Sequence, residues 1–239
     1  MKLLMALFAA LLPFLSMSQD NNASAESEAY HETRQKTSVP PYGLDKVKKL
    51  LGKTTSDESD NTILAAKDYL SLTLREKFTY HMIHAETYLQ NCDIILTEKD
   101  EEKKIFGHLP EPFNESVWSA RQTDFLEANR DSVMALIKES VNRSGRMGVN
   151  YKHALVEIRA LEMIPFLVEF YKRDRKDHDV LTVLMLLMKG AKYEPFTSSA
   201  SYGKLYGKES SYHAAFLVLN TANEDLIMKR AMDLFNAMS

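Results

Sequence analysis

An all-α fold is predicted by three observations. The stretch from Tyr151 to Gly190 holds two apolar helical segments joined by a charged turn, and the second is apolar on nearly every side. A helix of that kind cannot face water, so other segments must surround it. Chain breakers are sparse, with 8 Gly and 7 Pro in 239 residues. Strict alternation of apolar and polar residues, the mark of a half-buried strand, is rare. Hydrophobic residues make up 45% and charged residues 26%, enough to build a core and too apolar for a wholly disordered chain. The formal net charge is −3 with both signs mixed, which gives no electrostatic basis for a nucleic-acid partner.

The chain opens with one lysine, an apolar run from Leu3 to Leu15, and then the small residues Ser16 and Ser18. This is the plan of a secretory signal, expected over residues 1–18. The apolar run is shorter than the roughly 20 residues a membrane-spanning helix needs, and Pro13 interrupts it. Residues 19–42 are polar with no apolar period and read as a flexible linker. Residues 43–239 are expected to form one α-helical domain. The single cysteine, Cys92, excludes an internal disulfide, so the core alone must hold an exported chain together. An unpaired thiol of this kind is expected to be buried. Asn22, Asn114 and Asn142 each begin an Asn-x-Ser triplet, an acceptor only in a host that glycosylates.

Within the domain, residues 43–52 form a short amphipathic helix with Leu44, Val47, Leu50 and Leu51 on one side. A long helix follows, expected over residues 71–91, with Ser71 as its cap and Glu76 near its start. Residues 94–118 read as a surface connection, because charge runs and two prolines interrupt any period. Trp118 is expected to anchor the next helix, over residues 119–128, with another over 131–142 that stops at Ser-Gly-Arg-Met-Gly. A helix through residues 154–164 ends or kinks at Pro165. Asp177 or Asp179 caps the following helix and Gly190 closes it. Two helices, over residues 211–220 and 224–238, complete the chain.

Three groups of residues stand out as candidate sites. His81 and His84 lie three residues apart on the edge of the long helix, a spacing that can hold a metal, with Cys92 further along the same line. Glu86 falls about 140° round that helix from His81 and is set aside. Glu157 projects from the middle of an apolar arc, where a carboxylate has a raised pKa unless a cation meets it, and such groups gather at catalytic sites. The alternative for Glu157 is a buried ion pair. Tyr193, Phe196, Tyr202 and Tyr206 sit among Ser, Gly and Lys, a composition suited to adaptable ligand-binding surfaces. The alternative is a loop whose aromatic rings turn back into the core.

The dipeptide Phe-Leu recurs at residues 125, 166 and 216, spaced 41 and 50 residues apart. These spacings lie near the about 40–47 residues of a two-helix solenoid unit. The unit from Ile164 to Gly190 resembles a HEAT repeat in its Ile-Pro opening, its Asp in the turn and its closing Gly. The basic residue typical of the second helix is absent, since Leu181 follows Val180, and no family is assigned on this resemblance. It implies stacked antiparallel helical hairpins, as a HEAT-like solenoid, with an irregular helical bundle as the alternative. No zinc-protease, nucleophile-elbow, phosphate-loop or di-iron motif occurs, and no cofactor is implied. The expected function is an exported, non-catalytic binding or scaffold protein for an unidentified protein, peptide or glycan. The alternative is an extracytoplasmic hydrolase in which Glu157 works with a nearby histidine.

Overall fold

Helix α9, Asp179–Gly190, is the centre of the molecule. The computed structural model describes residues 23–90, 96–208, 210 and 215–238. Nine of the twelve residues of α9 are buried, Asp179 and Thr182 among them. Around it pack α7 (Val149–Glu157), α8 (Ile164–Lys172), α10 (Glu194–Thr197) and α12 (Thr221–Met238). The strand β2 (Lys104–Phe106) also reaches α9, and Thr182 Oγ1 donates to the Phe106 carbonyl at 2.8 Å. This is the enclosure that an all-round apolar helix requires.

The described chain is mostly helical, with two short antiparallel ladders. β2 pairs with β4 (Phe216–Val218), Ile105 opposite Leu217, and β1 (Thr87–Tyr88) pairs with β3 (Ser116–Val117). The helices α2 (Leu44–Leu51), α5 (Ala120–Ala128), α6 (Arg130–Ser144) and α12 fall where hydrophobic periodicity places them. A satellite core of Val47, Leu64, Tyr69, Leu72 and Tyr80 joins α2 to α3 (Ala66–Leu70) and α4 (Leu74–Ile83). No described helix is long and apolar enough to cross a membrane. The expected signal, residues 1–18, and Cys92 lie outside the described residues.

Four expectations are corrected. The first concerns the segment read as a flexible linker. It contains α1, Ala25–Gln35, capped by Ser24, whose Oγ accepts from Ser27 N. Only Ser27 and Arg34 of this helix are buried, so it docks through polar groups and carries no apolar period. The second is the long helix over 71–91. Its helical part is α4 alone, which begins at a capping box formed by Thr73 and Glu76 and ends at Ile83, and β1 follows.

The third is the helix through residues 154–164. It breaks after Glu157, where Arg159 takes φ 48°. Pro165 then stands at the start of α8, where its missing N–H costs nothing. The fourth is the helix over 211–220, where Phe216–Val218 is a strand instead. The third Phe-Leu therefore lies on a strand, and it is not equivalent to the pairs in α5 and α8.

Residues 36–40 run as an extended strap across the N-terminus of α7. Asn150 fastens it twice: its Oδ1 accepts from Ser38 N at 2.9 Å, and its Nδ2 donates to Ser38 O at 2.8 Å. The contact is so close that a Cβ on Gly148 would sit 2.1 Å from Ser38 N. Gly148→Ala is therefore expected to cost about 1–3 kcal/mol, the usual range for overpacking, seen as a lowered denaturation midpoint. A midpoint within error of wild type would show that the strap lies off α7 in solution.

Candidate functional site

The residues singled out from sequence do not converge on one site. Glu157 is exposed at the C-terminal end of α7. The arc that placed it inside assumed a continuous helix to Ile164, and the break at residues 158–160 removes that geometry. The histidine one helical turn back from it is His153, bonded through Nε2 to the Pro110 carbonyl at 2.8 Å.

His81 is fully buried, and both its ring nitrogens are engaged. Gln122 Nε2 lies 3.0 Å from Nδ1, and Tyr69 Oη lies 3.1 Å from Nε2. The Gln122 amide is oriented by its oxygen, which accepts from Glu86 N and Ser119 N. Nδ1 is thus an acceptor and Nε2 carries the proton, so neither nitrogen offers a lone pair to a metal. Burial, with Arg121 and Lys77 nearby, drives the imidazole pKa down to about 3. His84 caps α4 and spends Nε2 on the Thr62 carbonyl at 2.6 Å. Among the described residues no group of three His, Cys, Asp or Glu could hold a metal ion.

Glu86, set aside on helical geometry, is the buried carboxylate of this region at 1% exposure. It accepts from Tyr80 Oη and Ser119 Oγ, each at 2.5 Å, and from Arg121. Burial raises its pKa, but these donors outweigh burial and hold it below the ordinary carboxylate value. Every strong donor aims at its ionised form, which fits a structural anchor. The end of α4 at Ile83 is what turns Glu86 inward.

The aromatic segment packs against the main core. Phe196 is 1% exposed, and its ring meets Tyr202 edge-on at 5.5 Å. Tyr206 donates to the Gly107 carbonyl at 2.9 Å, and the Lys189 ammonium stands 4.2 Å over its ring. Tyr193 and Tyr202 are partly buried on the same cluster. Phe196, on α10, is thus core and not open to a ligand, while Tyr202 and Tyr206 on α11 (Ala200–Tyr206) keep part of their surface exposed.

Sequence reasoning missed the seam where α1 and the strap meet α6, α7 and α9. On one side of it lies a buried ion cluster. Arg34 Nε straddles both oxygens of Asp179 at 3.1 Å, and Nη1 donates to Glu101 at 2.9 Å. Its guanidinium also lies 3.9 Å over the Phe106 ring. Lys152, from α7, meets Asp177 at 2.5 Å. Tyr30 and His178 have ring centroids 4.9 Å apart, and Tyr30 Oη and His178 Nδ1 lack a hydrogen-bond partner among the described residues.

On the other side of the seam is a cleft of about 200 Å³, walled by Thr37, Ser38 and Val39 of the strap, by Ser140, Arg143, Ser144 and Arg146, and by Tyr151. Gly145, in the left-handed conformation at φ 70°, ends α6 and sets Arg143 and Arg146 on either side of the turn. Arg146 reaches back to the carbonyls of Thr33, Lys36 and Thr37. The only sequence signal for this cleft was the arginine pair flanking the glycine stop.

No family model, no curated protein and no solved structure matches this chain. The helical class and the geometry of the seam therefore stand as the description of the protein.

Proposed function

We propose that the chain is an exported, non-catalytic helical binding protein that recognises its ligand in the cleft beside the strap. The observation that carries this reading is the construction of the cleft. Its walls come from the strap, α6 and α7, and the strap is held by polar contacts: Arg34 anchors α1, which precedes it, and Asn150 fastens its middle residue, Ser38. A site assembled from fixed elements loses little entropy on binding, which is the property of a preformed recognition site. Export is supported by the charged, apolar and small-residue plan of residues 1–18. The hydrolase alternative loses its support, because it required a buried Glu157 and that carboxylate faces solvent.

The test is a thermal-shift screen of the mature chain against small anions, sugars and short peptides, followed by calorimetry on each hit. The expected result is saturable binding of at least one class, lost on Val39→Trp, which fills the cleft from an exposed strap position. Binding that Val39→Trp leaves intact would move the site elsewhere. Turnover of a bound compound, detected as product, would overturn the non-catalytic assignment.

A further inference from the structure

We infer that this cleft binds a tetrahedral oxyanion, a phosphate or sulfate group, free or as a monoester. The inference rests on the cleft being the recognition site, and it names the class of ligand. Its lining carries two guanidinium groups and five hydroxyls, from Thr37, Ser38, Ser140, Ser144 and Tyr151, with no carboxylate among the lining residues. Ser38, Ser140 and Ser144 also bond to Gly148 N, Tyr42 and the Arg146 carbonyl. That is an excess of donors and positive charge gathered at one concavity.

Neither arginine is ion-paired with a described residue, although Glu139 lies within electrostatic range of Arg143 and Asp177 within that of Arg146. Arg143 makes no hydrogen bond or ion pair with any described residue, and Arg146 donates only to carbonyls. The neighbouring carboxylates are committed elsewhere. Asp177 holds Lys152 at 2.5 Å, and Glu139 holds Arg75 at 2.6 Å. Arg146 is half-buried, and its pKa is depressed by burial, the mark of a cation short of a counter-ion.

Geometry and size narrow the class. Arginine forks bind planar or tetrahedral oxyanions through paired N–H bonds. The Arg143 fork, the N–H groups that Arg146 keeps beside its carbonyl bonds and the hydroxyls offer more donors than the two oxygens of a carboxylate can use, whereas a phosphate presents three or four. About 200 Å³ is below the roughly 300 Å³ at which pockets for drug-sized ligands begin, so the cleft suits the anionic group and not a large body behind it. The C-terminal end of α6 opposes an anion through its dipole, so attraction must come from the arginines.

The test uses the whole mature chain. Inorganic phosphate, sulfate and glucose 6-phosphate are titrated by calorimetry, and phosphorus NMR line broadening follows the phosphate. Sodium chloride at matched ionic strength is the control. Saturable binding of phosphate or sulfate is expected, weakened about tenfold by Arg143→Gln, the loss expected from one charge-assisted contact. Arg143 supports no other residue, so its replacement leaves the fold intact. Tighter binding of the sugar phosphate than of the free ion would identify a monoester as the ligand, and the reverse a free ion. Equal response to chloride, or an unchanged affinity in Arg143→Gln, would overturn the inference. A cleft that takes a neutral sugar or peptide but no oxyanion would overturn only the ligand class. A cleft that takes nothing would overturn the binding reading as well.

Discussion

Arg34→Ala is expected to destabilise the protein by about 3–5 kcal/mol, the cost of removing one partner from a buried ion pair. Arg34 is 9% exposed, and its two carboxylate partners, Glu101 and Asp179, are 1% exposed each. Removal leaves two buried charges whose remaining ionisable partners are His31 at Glu101, which also accepts from Glu98 N, and, at 4.0 Å, Lys152 at Asp179. A domain of this kind has about 5–15 kcal/mol of stability in all, so the loss is a large share of it. The amides of α1 should lose hydrogen-exchange protection first, since Arg34 and Ser27 are the only buried residues of that helix.

Two further measurements separate stranded charge from lost packing on Phe106. Adding Glu101→Gln and Asp179→Asn to Arg34→Ala should recover part of the loss, because both stranded carboxylates become neutral. The gap between Arg34→Ala and wild type should also narrow as pH falls and Glu101, whose carboxylate Arg34 helps to hold ionised, takes up a proton. A loss under about 1 kcal/mol, the value of an exposed pair, would place this cluster in solvent and detach α1 from the scaffold.

The same helix shows where sequence reasoning stops. Hydrophobic period found α2, α5, α6, α9 and α12, because each turns an apolar face to a core or, for α9, has no other kind of face. Helix α1 was invisible to that signal, because serine, histidine and arginine hold it and no leucine does. The break at residues 158–160 was hidden for the opposite reason. Ile158, Ala160, Met163 and Ile164 are all buried in one core, so the apolar pattern runs on while the backbone turns at Arg159. That continuity is what put Glu157 inside. Strands of three residues, such as Lys104–Phe106, are too short to show alternation. Cleft residues left almost no trace, since arginines and serines at a helix end are ordinary until a strap is seen to wall them in.

Stability is expected to fall as the solution is acidified from pH 7 to 5, above the range in which carboxylates titrate. The cause is the set of buried histidines. His81, His84, His153 and His178 all have pKa values lowered by burial, His81 to about 3. Below the ordinary value of about 6.5 the unfolded chain binds a proton at each of these sites and the folded chain does not. Each fully neutral histidine then costs about 1.4 kcal/mol per pH unit, so His81 alone removes about 2 kcal/mol between pH 6.5 and 5. The penalty stops growing only when the folded histidine itself protonates.

Glu86 and Glu101, whose pKa values are lowered by their hydrogen-bond donors, add to the loss below their unfolded values near 4.5. Asp177 acts in the opposite sense, because burial raises its pKa and the folded state gains a proton first. Four histidines against one aspartate fix the sign. Urea titrations at pH 7.5, 6 and 5 should show a midpoint that drops with each step. His81→Gln, which keeps hydrogen-bonding groups for Tyr69 and Gln122, should flatten the slope by about 1.4 kcal/mol per pH unit while starting from a lower stability. An unchanged midpoint across this range would mean that the histidines gain protons in the folded state as readily as in the unfolded chain. The polar network around His81 would then have to be open to water.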